Sequence, residues 1–170
     1  MRITNTARSN FGGLEDGLLF LRIFSLATVL PILVKMLSIP GLMRIITPRN
    51  PESETECSDQ TVSKIEKYTD YILGRNFWIY KISCLKRSLL LYRFMRQEGV
   101  YVNICFGVKY ASDETDEKRM DGHAWLLYKG DIFLEKDIHV TRTYTMTYCY
   151  PEIGENVKDG RLVTIAGGLK

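Results

Sequence analysis

The chain has few of the residues and motifs that metal and nucleotide chemistry need. It holds two histidines and four cysteines in 170 residues. None of Cys57, Cys84, Cys105 and Cys149 forms a CxxC pair, and their spacing fits no common zinc pattern. Neither GxxxxGK nor GxGxxG occurs, so no phosphate-cradling loop is expected, and neither a metal nor an organic cofactor is implied. No long run of one charge is present. The net charge of +3 is spread along the chain, which gives little reason to expect nucleic acid as a partner. No internal repeat is found. No secretory signal is visible either: the residues after Met1 are polar, and Glu15 and Asp16, rather than Lys or Arg, precede the first apolar run. A cytoplasmic, reducing location is therefore expected, with the cysteines as thiols.

What is present is enough for one compact domain with an extension. Hydrophobic residues make up 45% of the chain and charged residues 25%. Residues 1–13 are polar and read as a loose arm. Leu14 to Met36 reads as a helix. Arg22 and Pro31 interrupt its apolar run, leaving Ile23 to Val34, shorter than the ~20 residues that span a bilayer. A buried helix kinked at Pro31 is preferred to a membrane-surface anchor, because lysine and arginine are sparse here. Pro40-Gly41 is read as a break before a short apolar piece, Leu42 to Ile46. Residues 47–60 read as a linker or exposed loop. The chain is thus divided into an N-terminal helical extension and linker, 1–56, and a main domain, 57–170.

A second helix is expected over Thr61 to Leu73, ended by Gly74. A third starts at Ser83-Cys84 and runs to Glu98, stopped by Gly99. Leu85, Ser88, Leu89, Tyr92 and Met95 form its inner stripe, and Lys86, Arg87, Arg93 and Arg96 lie mostly outside it. Leu90, Leu91 and Phe94 widen its apolar surface, so this helix is expected to be central. Strand signals follow at Val100 to Tyr110, then a charged loop over 112–121, a strand from His123 to Tyr128, a turn at Lys129-Gly130-Asp131, and a strand from Ile132 to Glu135. Thr141 to Tyr150 and Arg161 to Ile165 are further strand candidates. The whole reads as α+β, with a central helix packed on an antiparallel sheet.

One constellation carries chemistry. A thiol attacks as its thiolate, which is favoured at helix N-termini and beside a histidine. Cys84 stands where the third helix begins. His123 is the better of the two histidines, since a strand beside that helix can present a ring to it; His139 lies past the predicted sheet. An imidazole base also needs a group that fixes its tautomer. Glu135, near the end of the third strand, returns beside the start of the second, and cross-strand neighbours approach to ~5 Å. Asp137 is the substitute. The Cys84 N–H is one oxyanion donor. Asn76 is the single side-chain amide between Gln60 and Cys84, and it is not assigned. Trp125 either screens the pair from water or fills the core. Cys105 is read as core, and Cys57 as incidental.

The run Ser83-Cys84-Leu85-Lys86-Arg87-Ser88-Leu89-Leu90-Leu91-Tyr92-Arg93, then Gly99, Gly107-Val108 and Gly122-His123-Ala124-Trp125, resembles one family. This is the leader peptidase of lasso-peptide biosynthesis, the C-terminal half of the two-part B protein, in the transglutaminase-like, papain-related superfamily. The similarity covers roughly Leu73 to Asp137. It implies Cys84 as nucleophile, His123 as general base and then acid, and Glu135 in the register of the family's aspartate. It also implies a precursor peptide as substrate, a separate leader-binding protein, and an ATP-dependent macrocyclase of asparagine-synthetase type. Two other functions remain open on the residues: acyl transfer by the same thioester chemistry, and a non-catalytic peptide-binding relative.

Overall fold

The computed structural model describes residues 13–48, 59–75, 83–112 and 118–152. The expected arm before Gly13, most of the 47–60 linker with Cys57, Asn76, and the strand expected at 161–165 lie outside the described residues. The chain divides into two compact units, Met1–Val100 and Tyr101–Lys170. Among the described residues the first holds α1 (Leu14–Met36), α2 (Ile39–Ile46), α3 (Asp59–Leu73) and α4 (Cys84–Gln97). The second holds β1 (Val102–Ser112), β2 (Lys118–Tyr128), β3 (Asp131–Phe133), α5 (Ile138–Thr141) and β4 (Thr145–Tyr150). The four strands form one antiparallel sheet in the order β3-β2-β1-β4. The architecture is α+β, as expected.

In the helical unit, α4 is closed at both ends. Ser83 caps its start, its hydroxyl accepting from the Lys86 N–H at 3.3 Å. Its end is a Schellman closure: Val100 N–H donates to Met95 O, Gly99 N–H donates to Arg96 O, and Gly99 sits at φ +81, open to glycine without a Cβ penalty. Burial takes in the inner stripe from Ser88 on and the residues expected to widen it. Leu89, Leu90, Leu91, Tyr92, Phe94 and Met95 are all buried, so the middle of the helix is enclosed on every side. The Tyr92 hydroxyl lies 3.1 Å from Thr47 Oγ1. Arg93 Nη1 donates to Ile46 O at 2.9 Å, satisfying a terminal carbonyl of α2.

Arg87, read from the sequence as a solvated or ion-paired position outside the inner stripe, is ion-paired. It is 8% exposed and faces α3. Its Nε donates to Asp70 Oδ1 at 2.7 Å, and its Nη2 donates to Glu66 Oε1 at 3.0 Å. Glu66 and Asp70 are four residues apart, one above the other on the same helix face, so a planar guanidinium can serve both.

Pro40 does not break the chain. It occupies the first turn of α2, behind Ser38 at the cap, where its missing N–H would have had no helical partner. Pro31 lies inside α1, which continues to Met36. The expected burial of α1 holds on one side only: Asp16, Ile23, Ala27 and Leu30 are buried, while much of the opposite side is exposed. Asp16 pairs with Lys64 of α3 at 2.9 Å, and Phe20 meets the Tyr68 ring edge-on.

In the sheet unit, β1 and β2 run in register from Val102↔Tyr128 to Ser112↔Lys118. The strands therefore enter the stretch expected as a charged loop, and His123 sits mid-strand rather than opening one. Lys129 and Gly130 join β2 to β3 with φ of +53 and +91, the two positive values of a type I′ turn, which suits the right-handed twist of a hairpin. β3 ends at Phe133, short of the expected Glu135. The strand expected from Thr141 starts at Thr145, because Ile138–Thr141 is a single helical turn.

Replacing Arg87 with methionine leaves Glu66 and Asp70 without their shared cation. Fully buried pairs cost about 3–5 kcal/mol when one partner is removed. Glu66 and Asp70 keep 34% and 26% side-chain exposure, so the loss here is set lower, at about 2 kcal/mol. The expected result is a fall in melting temperature of roughly 4–8 °C; an unchanged melt would show that the pair contributes nothing net.

Candidate functional site

Alternation along β2 puts Asp121, His123 and Trp125 on one face of the sheet. The imidazole of His123 is held from several sides. The Trp125 ring stacks against it, with centroids 5.8 Å apart and planes 20° apart. The Tyr144 ring lies 4.9 Å away, and its hydroxyl donates to Asp121 Oδ2 at 2.7 Å, which ties the ring to the same strand. The Nε2 atom of His123 is 3.1 Å from Thr141 Oγ1 and 3.5 Å from Glu135 Oε2. His123 and Glu135 each keep 15% side-chain exposure, so little water competes for these contacts.

The direction of the Thr141 hydrogen bond sets the tautomer. Thr141 Oγ1 donates to the backbone oxygen of Asp137 at 3.1 Å, so its single proton is already used. Toward His123 it can only accept. Nε2 therefore carries the ring proton and donates it to Thr141, with the Glu135 carboxylate 3.5 Å from the same nitrogen as a charge partner. The lone pair of the neutral ring is on Nδ1, for which no partner is found among the described residues. A histidine held this way has one nitrogen anchored and the other available as a base.

Glu135 does not arrive by the expected route. The register Leu126↔Phe133 means that a continued strand would set Glu135 opposite Ala124, on the face away from His123. Instead Leu134 adopts φ +54, a rare conformation for a bulky side chain that costs about 1–2 kcal/mol. The chain turns there and delivers the carboxylate to His123. Asp137, the alternative partner, caps α5: its Oδ1 accepts from Val140 N–H at 3.1 Å. Its contribution to His123 is indirect, through the carbonyl that orients Thr141. His139 is exposed on α5.

Gly107 makes room for the Trp125 ring. It pairs with His123 across β1 and β2, and a Cβ there would lie 2.7 Å from Thr145 O and 2.8 Å from the Trp125 ring. Trp125 is buried with Cys105 and Leu127, and Ile132, Tyr144, Met146 and Cys149 pack against that cluster. Cys105 and Cys149 face each other across β1 and β4. The hydrogen bond that the Cys105 thiol donates to Cys149, together with burial, pushes that thiol far above the usual range, so it belongs to the core.

In the helical unit, Cys84 is the first residue of α4, partly exposed, at the end where backbone N–H groups converge. No disulfide involves Cys84, Cys105 or Cys149. Among the described residues no group of three or more His, Cys, Asp or Glu side chains gathers to hold a metal ion.

Thr141, Tyr144 and Asp121 were not singled out in the sequence. Thr141 ends a single helical turn too short to show a periodicity, and Asp121 is one of several charges in an apparent loop. A signal for Tyr144 is hard to name. A family model described as the transglutaminase-like superfamily matches residues 21–148, a span that includes Cys84, Gly107, His123, Glu135 and Thr141. No curated protein matches the chain, and neither does any solved structure.

Two tests follow. Gly107→Ala is expected to lower stability by about 1–3 kcal/mol and to change the near-ultraviolet circular dichroism of tryptophan. Gly122→Ala, where a Cβ meets nothing within 4 Å, is the matched control and should melt within a degree or two of the native chain. Iodoacetamide at mildly alkaline pH should leave Cys105 unmodified in the folded chain; peptide mapping that finds it alkylated as fast as in urea would contradict its assignment to the core.

Proposed function

The chain belongs to the transglutaminase-like superfamily, and from that premise we propose that it is a cysteine peptidase that removes the leader from a ribosomally made precursor, in the making of a lasso peptide or a related modified peptide. The observation that carries this reading is the setting of His123. Its Nε2 is anchored by Thr141 and Glu135, and its Nδ1 is left to act as a base. A merely structural histidine would have no need of a leucine at positive φ to bring it a carboxylate.

The roles follow from the chemistry. Nδ1 of His123 takes the proton of the Cys84 thiol. The thiolate sulfur attacks the carbonyl carbon of the scissile amide, and the Cys84 N–H stabilises the oxyanion. The protonated imidazole then gives its proton to the leaving nitrogen as the C–N bond breaks, leaving a thioester on Cys84. Water, deprotonated by the same nitrogen, hydrolyses that thioester and frees the leader. Glu135 and Thr141 are positioning residues: they hold Nε2–H and stabilise the positive ring formed in each half of the cycle.

The reading extends to partners and place. A separate protein grips the leader and presents it, and an ATP-dependent cyclase of asparagine-synthetase type uses the released amine. The work is cytoplasmic. Glutamate stands where the family pattern has aspartate; the turn at Leu134 is what accommodates a carboxylate here.

The test is cleavage of a precursor peptide encoded alongside the chain, with and without the leader-binding protein, read by mass spectrometry. One leader fragment is expected, and Cys84→Ala should lower its rate by at least roughly a thousandfold. Thr141→Val and Glu135→Gln should each lower kcat by about ten- to a hundredfold with little change in KM. A product carrying an added amine in place of water would instead make the chain an acyl transferase. Equal cleavage by Cys84→Ala would remove the thiol from its role, and binding without cleavage would leave a peptide-binding relative.

A further inference from the structure

The side of α1 that does not enter the core is apolar and exposed. Leu14 is 95% exposed, Leu18, Leu21 and Ile32 58% each, and Met36 78%. At ~100° per residue these side chains, with Ser25, fall within an arc of about 60°. Ile23, Ala27 and Leu30 lie opposite them, in the core of the unit. An ordinary surface helix has charges on its outward side. Counted whole, across the interruptions at Arg22 and Pro31, α1 is by length and composition alone apolar enough to cross a membrane, contrary to the expectation from its uninterrupted run, and only 17% of its most apolar stretch is buried. The packing of its inner side, with Asp16 paired to Lys64 of α3, commits the helix to the fold lengthwise, so that a bilayer is met by its flank.

Two further observations say what kind of surface covers this flank. The polar side chains on it are already satisfied: Ser25 Oγ donates to Leu21 O at 2.8 Å, and Thr28 Oγ1 donates to Phe24 O at 2.9 Å. The flank can therefore leave water without stranding a hydrogen-bonding group. The exposed charges of α1 and α2 are also mostly of one sign. Lys35 borders the apolar arc and Arg44 projects from α2, against Glu15 alone, since Asp16 is buried in its ion pair and Arg22 gives both its Nη atoms to the Gln97 side chain of α4. Long cationic side chains at the edges of an apolar stripe reach lipid phosphates while the stripe seats in the acyl boundary.

We propose that α1 docks the chain on an anionic membrane surface, with Leu14, Leu18, Leu21, Ile32 and Met36 entering the lipid and Lys35 and Arg44 meeting its headgroups. The inference is independent of the peptidase reading. The experiment is co-sedimentation of the full chain with vesicles of phosphatidylcholine, alone or mixed with phosphatidylglycerol. Binding to the mixed vesicles is expected, at least roughly tenfold weaker on the neutral ones, and weakened by salt. Leu18→Asp with Ile32→Asp should lower the partition by roughly a hundredfold, at an unchanged melting temperature because both sites are exposed. Lys35→Gln with Arg44→Gln, which leaves the apolar stripe whole, should lower the preference for anionic vesicles about tenfold. Failure to bind either vesicle, or undiminished binding by both double variants, overturns the proposal. So does a dimer in sedimentation equilibrium that the aspartates dissolve while vesicles leave the chain in solution; a second copy would then cover the flank.

Discussion

The space left by the missing side chain of Gly107 governs the sheet unit. The Trp125 ring needs that space, and a ring so placed can lie against His123. Tyr144, fastened to Asp121, limits the imidazole from another direction, and Thr141 fixes which nitrogen is protonated. The ring is thus set by contacts from β1, β2, α5 and the segment before β4. Each is individually weak; a typical hydrogen bond nets only about 1 kcal/mol. Their agreement on one orientation is what defines the ring's position, which is how preorganised groups are built.

The same logic separates the two carboxylates near the imidazole. Asp137 sits at a helix start, where its side chain has the ordinary task of satisfying a backbone N–H. Glu135 has no such task. It reaches Nε2 because Leu134 accepts an unfavourable backbone conformation. In the helical unit a third acidic arrangement, Glu66 with Asp70, is neutralised by one guanidinium and is structural.

Much of this was legible in the sequence where local chemistry is decisive. The bounds of α1 and the ends of α3 and α4 follow from apolar spacing and from Gly74 and Gly99, since a glycine after a helix has a direct steric reason to end it. The turn at Lys129-Gly130 was equally readable. What escaped depends on pairing. Arg119, Met120 and Asp121 look like loop on their own, but their partners on β1 make them strand. Arg87 reads equally as solvated or ion-paired until α3 supplies two carboxylates. Pro40 looks like a break unless its position in the first turn is known. Of the candidate site, Cys84, His123 and Glu135 stood out by residue type, while Thr141 could be found only from the hydrogen bond it makes.

A pleated strand assigns its residues to two faces by parity, and Leu134 is where the chain changes the count. One residue fewer between the Lys129-Gly130 turn and Asp137, or one more, would swap which neighbour arrives at the imidazole. The number of residues in this short stretch is therefore as much a part of the site as their identity. Variation in length is ordinarily tolerated at a loop beside a three-residue edge strand. Here it would be read as a change of chemistry.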